Sequence, residues 1–211
     1  INAWGYDLSA ACSGFLFALE SGASLIESGK YKKVIVIGVD TMSSIIDYND
    51  RNTCILFGDG AGAVLLEPSK NYGIIDSKLR IDGSGGDYLK VPAGGSLRPA
   101  SKDTINNNLH YVQQDGKTVF KYAVRGMADI SYEVARRNGL SGNDIDLFIP
   151  HQANKRIIDA TAKRLGLNDS QIMINIDKYA NTTSATIPIC IAEAYEENKM
   201  TKGDNIIIST F

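Results

Sequence analysis

The sequence has few of the residues that build metal sites and disulfide frameworks. It contains three cysteines and two histidines among 211 residues. An odd, sparse set of cysteines indicates reduced thiols in a cytoplasmic protein and not a disulfide framework. No two cysteines form a Cys-x-x-Cys pair, so a structural zinc site would have very few ligands to draw on. We therefore expect no bound metal.

Long apolar runs and a strong excess of one charge are also absent. The formal net charge is -2, which gives no global positive field for nucleic acid. The densest apolar run, around Val34 to Val39, has the length of a strand and is too short to span a bilayer. The first ten residues lack a basic segment followed by an apolar one, so they do not resemble a signal peptide. We expect neither nucleic acid nor a membrane as a partner.

Segments typical of strands and helices alternate along the chain. Continuous β-branched runs such as VIVIGVD (34–40) predict strands covered on both faces, and the apolar helix after Cys12 is expected to be buried on nearly every side. The predicted strands are 6–9, 34–40, 63–66, 74–81, 146–149, 172–176 and 206–209, and the predicted helices are 15–28, 118–138, 154–165 and 184–198. This alternation predicts the α/β class with a largely parallel sheet. The turn after Pro68 divides the chain into two parts, 1–70 and 71–211.

Cys12 is the first candidate for chemistry. It lies where a predicted strand passes into a helix. Backbone N–H groups at a helix N-terminus favour negative charge, which would lower the pKa of the thiol and populate the nucleophilic thiolate. On this basis Cys12 should alkylate faster at neutral pH than Cys54 or Cys190. Taken alone, a small buried hydrophobic cysteine is the more common case.

Two further polar residues lie at similar junctions. His151 follows a short predicted strand in PHQAN, and Asn181 lies between a predicted strand and a helix in YANTTSATIP. The carboxyl ends of parallel strands are where α/β proteins build their sites. A structural histidine and a turn asparagine remain the alternatives for each residue alone.

Together, these motifs are far more specific. AACSGF, GDGAGA, IPHQANKRI and ANTTSATIP occur in the order, and at roughly the separations, seen in condensing enzymes with a Cys–His–Asn triad. The chain resembles the β-ketoacyl-acyl carrier protein synthase III family over essentially its full length, and DGSGGDYLKVPAGG and GKTVFKYAV strengthen the match. The resemblance implies a thiolase-like fold of two βαβα-type halves, 1–70 and 71–211, with parallel-rich mixed sheets and buried central helices.

The resemblance also implies roles for the three residues. Cys12 would take an acyl group from a coenzyme A thioester, with its own backbone N–H as one oxyanion donor. His151 and Asn181 would hydrogen-bond the malonyl thioester oxygen while carbon dioxide leaves. Donors aimed in advance at developing charge lower the barrier without reorganising. No cofactor is expected, because coenzyme A enters as the substrate thioester and the malonyl carboxylate stores the driving force.

Other positions match residues that bind coenzyme A or the phosphopantetheine arm of the carrier protein in the family. The resemblance assigns substrate binding to Arg51, Gly116, Asn154 and Phe211, and carrier-protein docking to Lys155 and Arg156. Basic residues also cover one half of the helix predicted at 154–165, as suits an acidic carrier protein. An ordinary solvated helix face is the alternative. The expected partners are an acyl-CoA primer, malonyl-acyl carrier protein and a second copy of the chain in a homodimer.

The glycines of FGDGAGA have a separate interpretation. The motif lacks the Lys-Ser/Thr ending of a phosphate-binding P-loop. We interpret these glycines as allowing close backbone packing beside the site.

The family also has β and α elements before the cysteine strand and a glycine-rich turn after the position of Phe211. We therefore expect residues 1–211 alone to expose apolar surface and to be poorly soluble or inactive.

Several other readings of the Cys–His–Asn order stay open. A papain-like cysteine protease uses the same order but expects C-G-S/A-C-W/Y around its nucleophile, which AACSGF does not match. Within the condensing superfamily, the hydroxymethylglutaryl branch needs a glutamate acid–base, and the two-histidine synthases need a histidine in place of Asn181. Plant-type polyketide synthases share the triad, so only the wider motifs count against them. An inactive protein that only binds carrier protein is the non-enzymatic alternative.

Overall fold

The computed structural model describes residues 2–211. The helices are α1 (Gly14–Glu27), α2 (Lys102–Asn106), α3 (Gly116–Arg137), α4 (Lys155–Leu165), α5 (Ile176–Tyr179) and α6 (Thr186–Glu196). The strands are β1 (Val34–Asp40), β2 (Gly60–Leu66), β3 (Leu89–Lys90), β4 (Gln113–Gln114), β5 (Leu147–Pro150) and β6 (Ile206–Ser209). The mixed α/β class is confirmed.

The described strands form three two-stranded sheets. β1 pairs antiparallel with β2, with Ile37 opposite Ala63, and β3 pairs antiparallel with β4. β5 pairs parallel with β6, with Phe148 opposite Ile207. Helices α4 to α6 connect β5 to β6 and provide the crossover that parallel pairing requires. The connection from β1 to β2 contains only one short 3₁₀ turn as regular structure, and the chain returns antiparallel.

Side-chain caps fix the ends of the two helices nearest the site. The Asp115 carboxylate accepts the backbone N–H of Thr118 at the start of α3. The Asn154 side chain accepts the backbone N–H of Arg156 at the start of α4. α4 ends at Gly166, whose φ of 74° is left-handed, the conformation that glycine adopts at low cost. Both helices therefore begin and end close to where the sequence predicted.

The main core surrounds α6, which packs against β1, β2 and β5. Residues from both predicted halves of the chain contribute to one buried cluster: Phe15, Val36, Leu147, Ile149, Met173, Ile187, Cys190 and Ala194. Burying a large apolar side chain stabilises the fold by roughly 1.5–3 kcal/mol. The helix that follows Asn181 is thus held from several sides, which positions the residues at its N-terminal end.

Three predicted strands are not strands in the structure. Residues 6–9 and 74–81 have no strand pairing, and Tyr6 and Ile75 are largely exposed. Residues 172–176 form only one isolated bridge, between Phe148 and Ile172. The physical reason is the absence of a pairing partner among the described residues. In the last segment, the backbone N–H groups of residues 175 and 176 donate instead to the Gln152 side chain.

Two predictions of burial are also wrong for the described residues. β1 is covered on one face only, and Ile35, Ile37 and Val39 on its other face are each more than half exposed. Only Gly14, Phe15 and Gly22 of α1 are buried. Four residues of α1, from Leu16 to Glu20, border an open cleft of about 920 Å³ that also runs along α3 and β6. Within residues 2–211, no helix combines the length and apolarity needed to cross a membrane.

Candidate active site

A cavity of about 500 Å³ brings together residues from distant parts of the chain. Cys12, Asn181 and Phe211 all line it, together with the first turns of α3 and α4. The other lining residues are Leu56, Phe57, Leu89, Gln114, Gly116, Lys117, Val119, Phe120, Lys121, Ala153, Asn154, Arg156 and Ile157. The sequence-based grouping of Cys12 and Asn181 in one site is therefore what the fold produces.

Cys12 lies in a 3₁₀ turn, Ala11–Ser13, that leads directly into α1. The turn packs against a second 3₁₀ turn, Thr183–Ala185, that leads into α6. The Thr210 hydroxyl donates to the carbonyl oxygen of Cys12 at 3.3 Å. The thiol thus stands at a helix N-terminus, as the sequence predicted, and the end of β6 holds its backbone in place.

The electrostatics of Cys12 differ from the sequence-based expectation. Burial, and to a smaller extent the nearby Asp40 carboxylate, raise the pKa of the Cys12 thiol to about 12. The backbone N–H of Cys12 lowers the pKa of the thiol, but by less than burial and Asp40 raise it. The predicted low-pKa thiolate, and the faster alkylation inferred from it, are therefore not supported. A thiol with this pKa is protonated at neutral pH.

A carboxylate substitution tests this account of the thiol. Asp40→Asn removes the negative charge while keeping an oxygen for the backbone N–H of Ser184, which Asp40 accepts at 3.0 Å. We expect the pKa of Cys12 to fall and its alkylation by iodoacetamide at pH 8 to accelerate, since each unit of pKa lowered gives roughly tenfold more thiolate. Mass spectrometry of the labelled Cys12 peptide over time measures the rate.

Asp59→Asn is the matched control, because Asp59 is an exposed carboxylate that accepts the N–H and hydroxyl of Ser43. Labelling of Cys12 should be unchanged in this variant. If Asp40→Asn labelled Cys12 no faster than Asp59→Asn, the charge of Asp40 would not control the thiol.

Asn181 is held by three hydrogen bonds. Its backbone N–H donates to Leu56 at 2.9 Å, and its carbonyl accepts the N–H of Gly58 at 3.0 Å. Its side-chain Oδ1 accepts the N–H of Thr183 at 2.9 Å. Since Oδ1 is occupied, the orientation of the amide is fixed and Nδ2 remains as a donor without a partner among residues 2–211. This arrangement can stabilise a developing negative charge on an oxygen.

His151 lies at the end of β5 and is completely buried. Its backbone N–H donates to Ser209 at 2.7 Å, and its Nδ1 lies 2.7 Å from Oγ1 of Thr186. Nε2 has no partner among the described residues. Burial lowers the pKa of the imidazole to about 3, so the ring is neutral at physiological pH. His151 does not line the cavity. Phe211, which does line it, packs against the His151 ring at 5.6 Å between ring centres.

Strained backbone conformations flank both Cys12 and Asn181. Ala11, directly before Cys12, has a φ of 45°, and Ala180, directly before Asn181, has a φ of 59°. Thr183, which orients the amide of Asn181, has a φ of 49°. Such conformations cost on the order of 1–3 kcal/mol each and persist where the surrounding structure enforces them. Sequence reasoning missed this feature, because none of the three residues is a glycine.

The glycines of the FGDGAGA motif pack tightly beside the site. A Cβ at Gly58 would collide with the carbonyl oxygen of Tyr179, and a Cβ at Gly62 would lie 2.8 Å from Cβ of Pro188. These glycines therefore let the chain before and along β2 approach the segment that carries Asn181 and the start of α6. The packing role predicted from the sequence is confirmed.

Three basic side chains surround the cavity. Arg156 stacks on the Phe120 ring at 4.9 Å, and Lys117 and Lys121 extend from the first turns of α3. Among residues 2–211, none of these three cations has an ion-pair partner. Unpaired cations beside an apolar cavity suit a ligand that joins phosphates to an apolar or reactive group. The i, i+4 spacing of Lys117 and Lys121 on one helix was the sequence signal that could have revealed them.

The structure places only some of the predicted binding residues at the cavity. Gly116, Asn154, Phe211 and Arg156 line it. Asn154 also caps α4, so its side-chain oxygen is already engaged with the N–H of Arg156 at 2.9 Å. Arg51 lies in an exposed turn outside the lining residues. Lys155 also lies outside the lining, because it pairs with Asp159 at 2.8 Å on the surface of α4.

Two protein-family models match the segments that carry Cys12, His151 and Asn181. Residues 6–83 match the model of 3-oxoacyl-[acyl-carrier-protein] synthase III, and residues 135–211 match the model of its C-terminal domain. The first range includes Cys12, and the second includes His151 and Asn181.

Curated relatives and solved structures agree with this match. The chain is 56% identical over 211 residues to a β-ketoacyl-[acyl-carrier-protein] synthase III of Koribacter versatilis, covering 99% of this chain and 63% of the relative. The crystal structure of 3-oxoacyl-[acyl-carrier-protein] synthase III from Aquifex aeolicus superposes with a TM-score of 0.88 at 39% identity, over 98% of this chain and 63% of that one. The corresponding enzyme of Pseudomonas aeruginosa gives a TM-score of 0.89 at 36% identity, over 99% and 64%. The chain thus spans about 63% of the length of the Koribacter relative.

Proposed function

Since the chain belongs to the 3-oxoacyl-[acyl-carrier-protein] synthase III family and has its thiolase-like fold, we propose that it performs a decarboxylative Claisen condensation. In this reaction an acyl-CoA primer and malonyl-acyl carrier protein form a β-ketoacyl thioester and start fatty acid synthesis. The observation that carries the proposal is the shared cavity: Cys12 and the fixed amide of Asn181 line it, and unpaired cations surround it.

The first half of the reaction is acyl transfer. Sγ of Cys12 attacks the thioester carbonyl of the primer, the carbon–sulfur bond to coenzyme A breaks, and the thiol proton goes to the departing sulfur. The backbone N–H of Cys12 donates to the oxyanion that forms on the carbonyl oxygen. Because the pKa of Cys12 is raised to about 12, deprotonation accompanies the attack.

The second half is decarboxylation and carbon–carbon bond formation. Loss of carbon dioxide from the malonyl group leaves negative charge on the thioester oxygen. Nδ2 of Asn181 and Nε2 of His151 have no partner among residues 2–211, and we assign them as hydrogen-bond donors to that oxygen. Since Phe211 packs against the His151 ring, this assignment requires Phe211 to move aside when the malonyl group binds. The resulting carbanion attacks the acyl carbon on Cys12 and expels the Cys12 sulfur as a thiolate, which takes up a proton from water to restore the thiol. Decarboxylation supplies the driving force, so the reaction requires no resident cofactor.

The partners follow from the same proposal. The basic side chains Lys117, Lys121 and Arg156 would meet the phosphates of coenzyme A or of the phosphopantetheine arm, and the acidic surface of the carrier protein. Arg51 and Lys155 do not line the cavity, and their roles in binding and docking stay predictions. A homodimer, a cytoplasmic location and the division into halves 1–70 and 71–211 also stay predictions. The expectation that residues 1–211 alone are poorly soluble or inactive stays a prediction too, so the assays use the protein with any flanking sequence that it has.

A substrate-dependence assay tests the function itself. Acetyl-CoA and malonyl-carrier protein together should release carbon dioxide in equal amount to the β-ketoacyl product, measured with carboxyl-labelled malonyl groups. Carbon dioxide release without β-ketoacyl product would contradict the condensation. Cleavage of peptides in place of this reaction would favour a cysteine protease.

Charge reversal at the cavity mouth tests the docking surface. Arg156→Glu should raise the KM for malonyl-carrier protein and leave kcat less affected, because charges on a docking rim mainly control encounter. The defect should shrink as salt rises, since screening acts over about 10 Å at 0.1 M ionic strength. Steady-state kinetics at several salt concentrations measure both effects.

Lys163→Glu is the matched control for Arg156→Glu. Lys163 is an exposed cation on the same helix but does not line the cavity. Its reversal should change the KM far less. A salt-independent loss of kcat in Arg156→Glu would place Arg156 in the chemistry and not in docking.

A further inference from the structure

The buried imidazole of His151 can carry its proton on either of two ring nitrogens, Nδ1 or Nε2. The ring is completely buried, and burial lowers its pKa to about 3, so it carries a single N–H. If that hydrogen is on Nε2, the ring donates there; if it is on Nδ1, Nε2 offers only a lone pair. Which form is present therefore decides what His151 can do toward a substrate.

The Thr186 hydroxyl is the group that contacts Nδ1. Oγ1 of Thr186 lies 2.7 Å from Nδ1 of His151 and 3.0 Å from the carbonyl oxygen of Thr183. Thr186 is also almost completely buried. A carbonyl oxygen can only accept, so the contact with Thr183 uses the single hydroxyl hydrogen of Thr186. Both contacts can be hydrogen bonds only if Nδ1 carries the proton and donates to Oγ1.

We propose that Thr186 sets the tautomer of His151, and that in the substrate-free site the proton is on Nδ1. The chain then runs from His151 Nδ1–H to the Thr186 hydroxyl and on to the Thr183 carbonyl. Each bond in such a chain polarises and strengthens the next. Nε2, which has no partner among the described residues, presents a lone pair in this state.

This inference deepens the proposed function and rests on it for its consequence. The decarboxylation step needs a donor at Nε2, so the ring has to change tautomer during the cycle: Nδ1 releases its proton to water, and Nε2 takes up one proton from water that enters with the substrate. Thr186 can support that second form by turning its hydroxyl hydrogen from the Thr183 carbonyl to Nδ1. The Thr183 carbonyl would still accept the backbone N–H of Thr186, so the turn leaves no buried acceptor unpaired. Thr186 is thus a positioning residue whose hydroxyl either accepts a hydrogen bond from Nδ1 or donates one to it.

His110 is an internal control, because in this ring it is Nε2, and not Nδ1, that contacts a threonine hydroxyl. Nε2 of His110 lies 2.9 Å from Oγ1 of Thr104, and that hydroxyl donates to the carbonyl of Ser101 at 3.0 Å. By the same reasoning, His110 carries its proton on Nε2. One protein should therefore contain both tautomers, each set by a buried threonine.

The test is nitrogen-15 NMR of histidine-labelled protein without substrate. Protonated and unprotonated ring nitrogens resonate far apart, and spectra at pH 8 lie above the ordinary histidine pKa of about 6.5. His110→Asn removes one set of signals and so assigns the two rings. We expect Nδ1–H for His151 and Nε2–H for His110 in the wild type. Thr186→Ser should keep this pattern, whereas Thr186→Val should move His151 toward Nε2–H and leave His110 unchanged.

The outcomes separate this inference from the proposed function. A wild-type His151 with its proton on Nε2 would overturn the inference, and so would an unchanged His151 in Thr186→Val. The wild-type spectrum decides even if Thr186→Val does not fold. Because no substrate is present, an Nδ1–H ring in a protein without condensing activity would refute the proposed function and leave the tautomer assignment intact.

Discussion

Replacing Cys12 with alanine is expected to abolish acylation of the protein by acetyl-CoA. The acyl group has no other acceptor in the proposed reaction, since Cys54 and Cys190 do not line the cavity. Condensation should fall by at least about 10³-fold, as is usual when a covalent nucleophile is removed. Intact mass before and after incubation with acetyl-CoA shows whether one acetyl group is gained.

Cys54→Ala is the control for this substitution. Cys54 packs in a separate cluster with Met42, Ile46 and Val112, so this variant should gain one acetyl group like the wild type. An acetyl group that appeared on Cys12→Ala, or that was lost in Cys54→Ala, would mean that Cys12 is not the nucleophile.

Removing the two proposed donors should damage condensation and spare acyl transfer. His151→Ala and Asn181→Ala each delete a donor to the malonyl oxygen, and loss of one such donor costs on the order of 10²–10³ in rate. Acyl transfer from acetyl-CoA to Cys12 does not use these donors, so both variants should still gain the acetyl group. Two measurements are needed for each variant: the extent of self-acylation by mass, and the rate of carbon dioxide release from malonyl-carrier protein.

Asn181→Asp tests more directly whether the side-chain N–H of Asn181 is the group that matters. The Asp side chain keeps an oxygen to accept the N–H of Thr183 but has no N–H to offer the substrate. It should lose condensation as Asn181→Ala does, which would separate the missing donor from a disturbed turn. If His151→Ala and Asn181→Ala lost self-acylation as completely as Cys12→Ala, the assigned division of labour would be wrong.

Local features of this fold could be predicted because they depend on neighbouring residues. The helix over residues 154–165 ends where Gly166 adopts a left-handed conformation, and the β-branched run of β1 forms a strand. The 74–81 and 172–176 segments look equally strand-like in sequence but form no strand. A strand exists only when another strand pairs with it, and which segments meet is a property of the whole fold.

The pKa values and ion pairs around the site could not be predicted from neighbouring residues either. A helix N-terminus predicts a lowered thiol pKa for Cys12, but burial and the carboxylate of Asp40, which is distant in the sequence, raise this pKa to about 12. Lys155 and Arg156 are adjacent in sequence, yet Lys155 pairs with Asp159 while Arg156 stacks on Phe120 at the cavity. Desolvation and long-range contacts decide both cases, and neither can be deduced from neighbouring residues.

The sequence by itself identified the family and the candidate residues of the site. Its motifs contained Cys12, His151 and Asn181 in an order and at separations that resemble one family, and the family models match the segments that carry them. The tertiary structure decided the state of those residues. Burial, Asp40 and Thr186 control the protons on the Cys12 thiol and the His151 ring, since a proton's position depends on desolvation and on hydrogen-bond partners that only the folded chain brings into contact.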